Sequence, residues 1–210
     1  MHWIDPACLP ETKGIVDRFL LNSHGVADGM LLKDRKEVYF APHMAGAVVA
    51  AFKLGDLIKV RGVRPRGVDM IVAISLQADG AIAIVDDGPE GNREPTRKHE
   101  EHKHSKIEGL VARVLHGPKG EERGVLLDNG TIVRMPPHTA ASLHGGLTSG
   151  QELAARGPSM TSELGTVIDA HEIGASLSAL HPVGSKKHDE KAERKSVKRE
   201  EKVKKQEPAG

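Results

Sequence analysis

The residues best suited to chemistry stand in one short phrase, KVRGVRPRG, which gathers Lys59, Arg61, Arg64 and Arg66 with no acid among them. Cations at a strand end and in the turn after it can contact a phosphate backbone, which is held by charge and carries no sequence information. A second phrase, EVYFAP, supplies a ring. Strand alternation puts Val38 and Phe40 on one face and Glu37 and Tyr39 on the other, so Tyr39 is expected to face outward, where a base can stack on it. Phe19 is a second candidate for stacking and Arg134 a further candidate for phosphate. A solubilising hairpin and ordinary surface residues are the competing readings. HEEHKHS sets His99, His102 and His104 at spacings that a chain can fold around zinc. No fixed geometry or second set of supporting residues accompanies them, so they are weak metal candidates beside a charge-rich linker.

Other chemistry finds no footing. There is no Gly-rich phosphate loop ending in Lys-Ser/Thr, no Gly-x-Ser-x-Gly, no His-Glu-x-x-His and no dinucleotide fingerprint. Neither an enzyme nor a cofactor is expected. Cys8 is the single cysteine, without partners for a disulfide or a thiolate metal site. No apolar run nears the roughly 18 residues of a membrane span, and the N-terminal phrase MHWIDPACLPETK lacks the pattern of a secretory signal. A cytoplasmic protein with no membrane partner is expected.

The elements that position these residues are written twice. Residues 14–62 match residues 109–157 at fifteen of forty-nine positions, without gaps, at an offset of 95. GMLLKDRKEVYFAPH at Gly29–His43 returns as GVLLDNGTIVRMPPH at Gly124–His138. Repetition at this period indicates two small domains. Between the copies, GPEGNREPTRKHEEHKHSK is rich in charge, Gly and Pro and reads as a solvated linker. The boundaries are therefore an arm at 1–13, a first repeat at 14–88, a linker at 89–106, a second repeat at 107–182, and a disordered or partly helical tail at 183–210. Residues 185–210 carry ten Lys/Arg against six Asp/Glu, a net of +4, whereas residues 14–88 are balanced and 107–182 stand at −3.

Within each copy, period and turn chemistry give the same order. GIVDRFLL is a strand, and GMLLKDRKEVYFAP is two strands about a polar turn, which in the second copy is the hairpin signal DNG. HMAGAVVAAFKLG suits a short helix stopped by a glycine, and DLIKVRGV and DMIVAISLQA are two more strands. His43 and His138, each after a proline, are expected near the helix start as caps for free backbone groups.

Five short strands with a helix between the third and fourth, with the phrase GDLIKVRGV opening the fourth, resemble the OB-fold, a partly open Greek-key barrel. The chain is similar to uncharacterised bacterial OB-fold-like proteins carrying an LLxDGxxVxFPPH stretch. The resemblance implies a mostly β protein of two tandem barrels that binds single-stranded DNA or RNA with low sequence selectivity. The binding residues would be Phe19, Tyr39, Lys59, Arg61, Arg64, Arg66 and Arg134, in the first repeat for the most part, helped by the basic tail. The rival reading is a non-catalytic interaction module in which paired barrels and tail recruit a protein partner.

Overall fold

The computed structural model describes residues 5–78, 80–88, 103–143 and 146–183. Trp3, His99, His102 and the charged tail lie outside them. The chain is mostly β and forms two closed barrels of the same plan. The first contains β1 (Glu11–Leu21), β2 (Ala27–Leu32), β3 (Glu37–Tyr39), α1 (Ala45–Ala51), β4 (Leu57–Val63) and β5 (Met70–Ala78), with the short β6 (Ile84–Val85) on its edge. The second contains β7 (Lys103–His116), β8 (Glu122–Leu127), β9 (Ile132–Arg134), α2 (Pro137–Ser142), β10 (Glu152–Ser162) and β11 (Gly165–Asp169), extended by β12 (Glu172–Gly174) and β13 (His181–Pro182).

Each sheet closes on itself in the order expected of an OB-fold-like barrel. β1 pairs with β2 and β4, β2 with β3, and β4 with β5, all antiparallel; a parallel pairing of β3 with β5 seals the ring. β7 to β11 repeat this circuit, sealed by parallel β9 and β11. Closure removes the exposed edges that invite aggregation.

The recurring glycines have a mechanical cause. A Cβ at Gly62 would collide with the Val72 carbonyl oxygen, and one at Gly157 with that of Asp169. Gly29 and Gly124 lie in the same way beneath the Val38 and Val133 carbonyls. Strands bend close together at these points, and only a residue without a side chain admits that approach.

The cores follow the alternation. Val38 and Phe40 are fully buried, with Val16, Met30, Ile58, Val60 and Leu76 around them; Val111, Val125, Val133 and Met135 fill the second barrel. The Ala-rich α1 buries Ala45 and Val48 in the first core cluster. At the helix starts the N-cap residues Ala41 and Pro136 make no side-chain cap bond. His43 places Nε2 2.9 Å from Asp86 Oδ1, tying the helix start to the segment after β6. Strands also reach beyond the expected repeat boundaries. Glu11–Lys13 pair with Lys59–Arg61 on β4, and Lys103–Lys106 pair with Arg156–Ser159 on β10, so backbone pairing orders residues whose charge suggested arm and linker.

Candidate nucleic-acid interface

The outward faces of β2 and β3 carry Leu31, Glu37 and Tyr39, and those of β8 and β9 carry their counterparts Leu126, Ile132 and Arg134. These faces meet. Leu31, Leu126, Ile132, Leu115 and Val167 belong to the same apolar cluster as the core of the first barrel, so the barrels share one joint. At roughly 1.5–3 kcal/mol for each large apolar side chain taken from water, such a joint holds the two barrels together.

The joint has approximate twofold symmetry. Gly25 packs under Met160, and Gly120 packs under Pro65; the two contacts exchange under the 95-residue offset. Polar contacts at the joint are not symmetric. Arg134 donates from Nε to the Leu21 carbonyl at 2.7 Å and from Nη2 to Asp28 Oδ1 at 2.9 Å. Glu37 accepts from the backbone N–H of His116 at 2.9 Å, and its Oε2 lies 3.0 Å from His116 Nδ1. Burial pushes the Asp28 carboxyl above its ordinary value of 3.8, although Arg134 and Arg123 pull the other way. Burial likewise raises the Tyr39 hydroxyl, reinforced by Asp28.

Three expected ligand contacts are corrected by these positions. Arg134 is buried in an ion pair and closes the joint; it presents no free cation to a phosphate. Phe19 is buried because the strand register turns its ring into the apolar cluster, so it offers no face to a base. Arg61 is committed to structure: Nη1 donates to the Ala7 and Leu9 carbonyls and Nη2 to Glu11 Oε2 at 2.8 Å, pinning the N-terminal arm to β4. Tyr39 faces outward as alternation requires, but outward on β3 is toward the rim of the joint, and the residue is half-buried. Of the histidines within the description, His104 meets His171 edge-to-face with ring centroids 6.1 Å apart, and no cluster of metal-ligating side chains occurs among the described residues.

The remaining cations line the β1–β4 pairing of the first barrel and the turns at its two ends, one of which, the β4–β5 turn, touches the second barrel through Pro65 and Val68. Lys13 on β1 stands directly opposite Lys59 on β4. At one end of this pair, Lys33 donates its backbone N–H to Ile15, which places the β2–β3 hairpin and Arg35 beside β1. At the other end Arg64 donates from Nη2 to Thr12 Oγ1 at 2.9 Å, and exposed Arg66 follows in the β4–β5 turn. Ile15 and Leu57, paired across β1 and β4, add exposed apolar surface to this band. Sequence reasoning found Lys59, Arg64 and Arg66 but missed Lys13, Lys33 and Arg35. Their signal was the offset: at the equivalent positions the second barrel has Glu108, Asp128 and Gly130.

No protein-family model and no curated protein matches this chain. Among solved structures, the wild-type single-stranded DNA binding protein from Thermus aquaticus is 14% identical, with a TM-score of 0.27, over 83% of this chain and 95% of that one. A deletion mutant of the same Thermus aquaticus protein gives 13% identity and a TM-score of 0.27, over 83% and 96%. At those scores the barrel assignment stands on this chain's own strand pairings.

Proposed function

We propose that this is a non-enzymatic binding protein that holds single-stranded DNA or RNA by its phosphates, with low sequence selectivity, along the β1–β4 side of the first barrel. One observation carries the reading. Lys13, Lys33, Arg35, Lys59, Arg64 and Arg66 occupy positions where the second barrel, on the same fold, has Glu108, Asp128, Gly130, Ala154, Ser159 and Thr161. The fold therefore does not require these cations, and a polyanion gives them a use. The band contains no aromatic side chain, so contact to bases is weak and selectivity is low. OB-folds commonly bind oligonucleotides on the strand 2–3 face; here that face is covered by the neighbouring barrel, which moves the proposed site to the outside.

Binding of labelled oligo-dT and oligo-U across a salt series tests the proposal, on the full chain and on a chain ending at residue 184. Steep salt dependence that survives truncation, and is lost when Lys13→Glu, Lys33→Asp, Arg64→Ser and Arg66→Thr transplant the second barrel's residues, is the expected result. Absence of binding by the full chain at low salt ends this reading.

A second reading is favoured by the exposed Ile15, Leu54 and Leu57, which are 38%, 61% and 49% accessible. An acidic protein segment with apolar anchors fits the same band. In that case oligonucleotides fail to compete with it.

A further inference from the structure

We propose that the joint is a complementary recognition surface on which a first barrel accepts only a second barrel, and that a second copy of this chain can supply it by reciprocal exchange. The inference is independent of what binds the outer band. It rests on how the duplicated copies differ at equivalent places of a symmetric interface.

Asp28 faces Arg134, and the mirror contact sets Arg123 near Tyr39. Glu37 faces His116, and its mirror sets Ile132 near Leu21 within the apolar cluster. If two first barrels paired in this geometry, Asp28 would face Tyr39 twice and Glu37 would face Leu21 twice, burying four carboxylates without a cation. If two second barrels paired, Arg123 would face Arg134 twice, and His116 would face Ile132. Buried charge without a partner and like charges in contact are both strongly unfavourable. Only the mixed pairing gives both carboxylates a donor without setting arginine against arginine, so the surface rejects its own kind while accepting its sibling. Residues 89–102 connect the barrels, and a chain of that length spans at most about 50 Å. This reach allows a first barrel to meet the second barrel of another molecule, with both joints of the pair made.

Two full-length variants test the code. One carries Asp28→Arg and Glu37→Lys, the other Arg134→Asp and His116→Glu. Each alone sets like charges against one another within the joint. Mixed, the altered first barrel of one complements the altered second barrel of the other, while the two unaltered barrels complement each other. Native mass spectrometry and light scattering are expected to show a 1:1 complex of twice the 22.6 kDa chain mass only in the mixture. The complex should form at concentrations at least 100-fold below those at which either variant associates with itself. A mixture that stays monomeric overturns the proposal, as does equal self-association by either variant. Should the doubly altered chains precipitate, Glu37→Lys mixed with His116→Glu decides by the same criteria.

Discussion

The two barrels share their backbone plan and differ in where they keep their charge. The first has acids at the joint, Asp28 and Glu37, and a band of cations along β1, β4 and the turns at their ends. The second has Arg134 and His116 at the joint, and Glu108, Asp128 and Glu152 at positions equivalent to the first barrel's band. The two scaffolds are alike, and opposed residues at equivalent positions make one side of each complementary to the other and leave the β1–β4 and β7–β10 sides unlike. Features common to both copies therefore report architecture, and opposed features report recognition.

Breaking the shared part should hurt both barrels alike. Gly62→Val and Gly157→Val are each expected to cost about 5 kcal/mol, or to prevent folding, because the new side chain meets a strand carbonyl. Unequal losses in thermal unfolding would show that the barrels are not mechanically equivalent. Breaking the opposed part should hurt one member of a pair only. Arg134→Ala leaves Asp28 buried without its cation and is expected to cost about 3–4 kcal/mol in denaturant unfolding, against about 1 kcal/mol for the equivalent Tyr39→Ala.

Acidity sharpens the same contrast. The folded Asp28 carboxyl sits above 3.8, so between that value and its raised one the folded chain holds more protons than the unfolded chain. Its contribution to stability therefore falls as pH rises through this window. Asp28→Asn is expected to flatten that decline, and the difference between parent and variant should shift in the variant's favour with rising pH. The smallest effect concerns the β2–β3 turn, where Arg35 adopts φ 71° and its counterpart Gly130 adopts φ 83°. Arg35→Gly should raise stability by up to about 1 kcal/mol, while Gly130→Arg lowers it by a similar amount.

Much of the barrel was legible before any coordinates. Period-two alternation, the DNG turn and the Ala-rich run set out the strand and helix order, because those signals are local, although the helix stops at Ala51 with an extended Phe52 and not at Gly55. The joint was not, since alternation says only that Tyr39 and Arg134 point away from their own cores, and not what waits there. A signal was nevertheless present in the repeated Leu-Leu. Adjacent strand residues face opposite sides, so one leucine of each pair must point outward, and Leu31 and Leu126 do so in both copies, into the joint. Arg61 misled for a related reason: its acceptors, the Ala7 and Leu9 carbonyls, lie some fifty residues away in an arm with no pattern of its own.

The parallel seam that closes each barrel carries a consequence for how the chain reaches its native state. In the first barrel Glu37–Tyr39 must find Met70–Val72 across α1 and the whole β4 hairpin, whereas the seam of the second joins Ile132–Arg134 to Val167–Asp169 over a comparable span. Hairpins form from near neighbours and early, while these distant three-residue pairings pay loop-closure entropy before any contact rewards them. Each barrel should then assemble as an open sheet that zips shut last, and because the two seams are built alike, a half-closed barrel has in its sibling a rival strand of nearly the right shape.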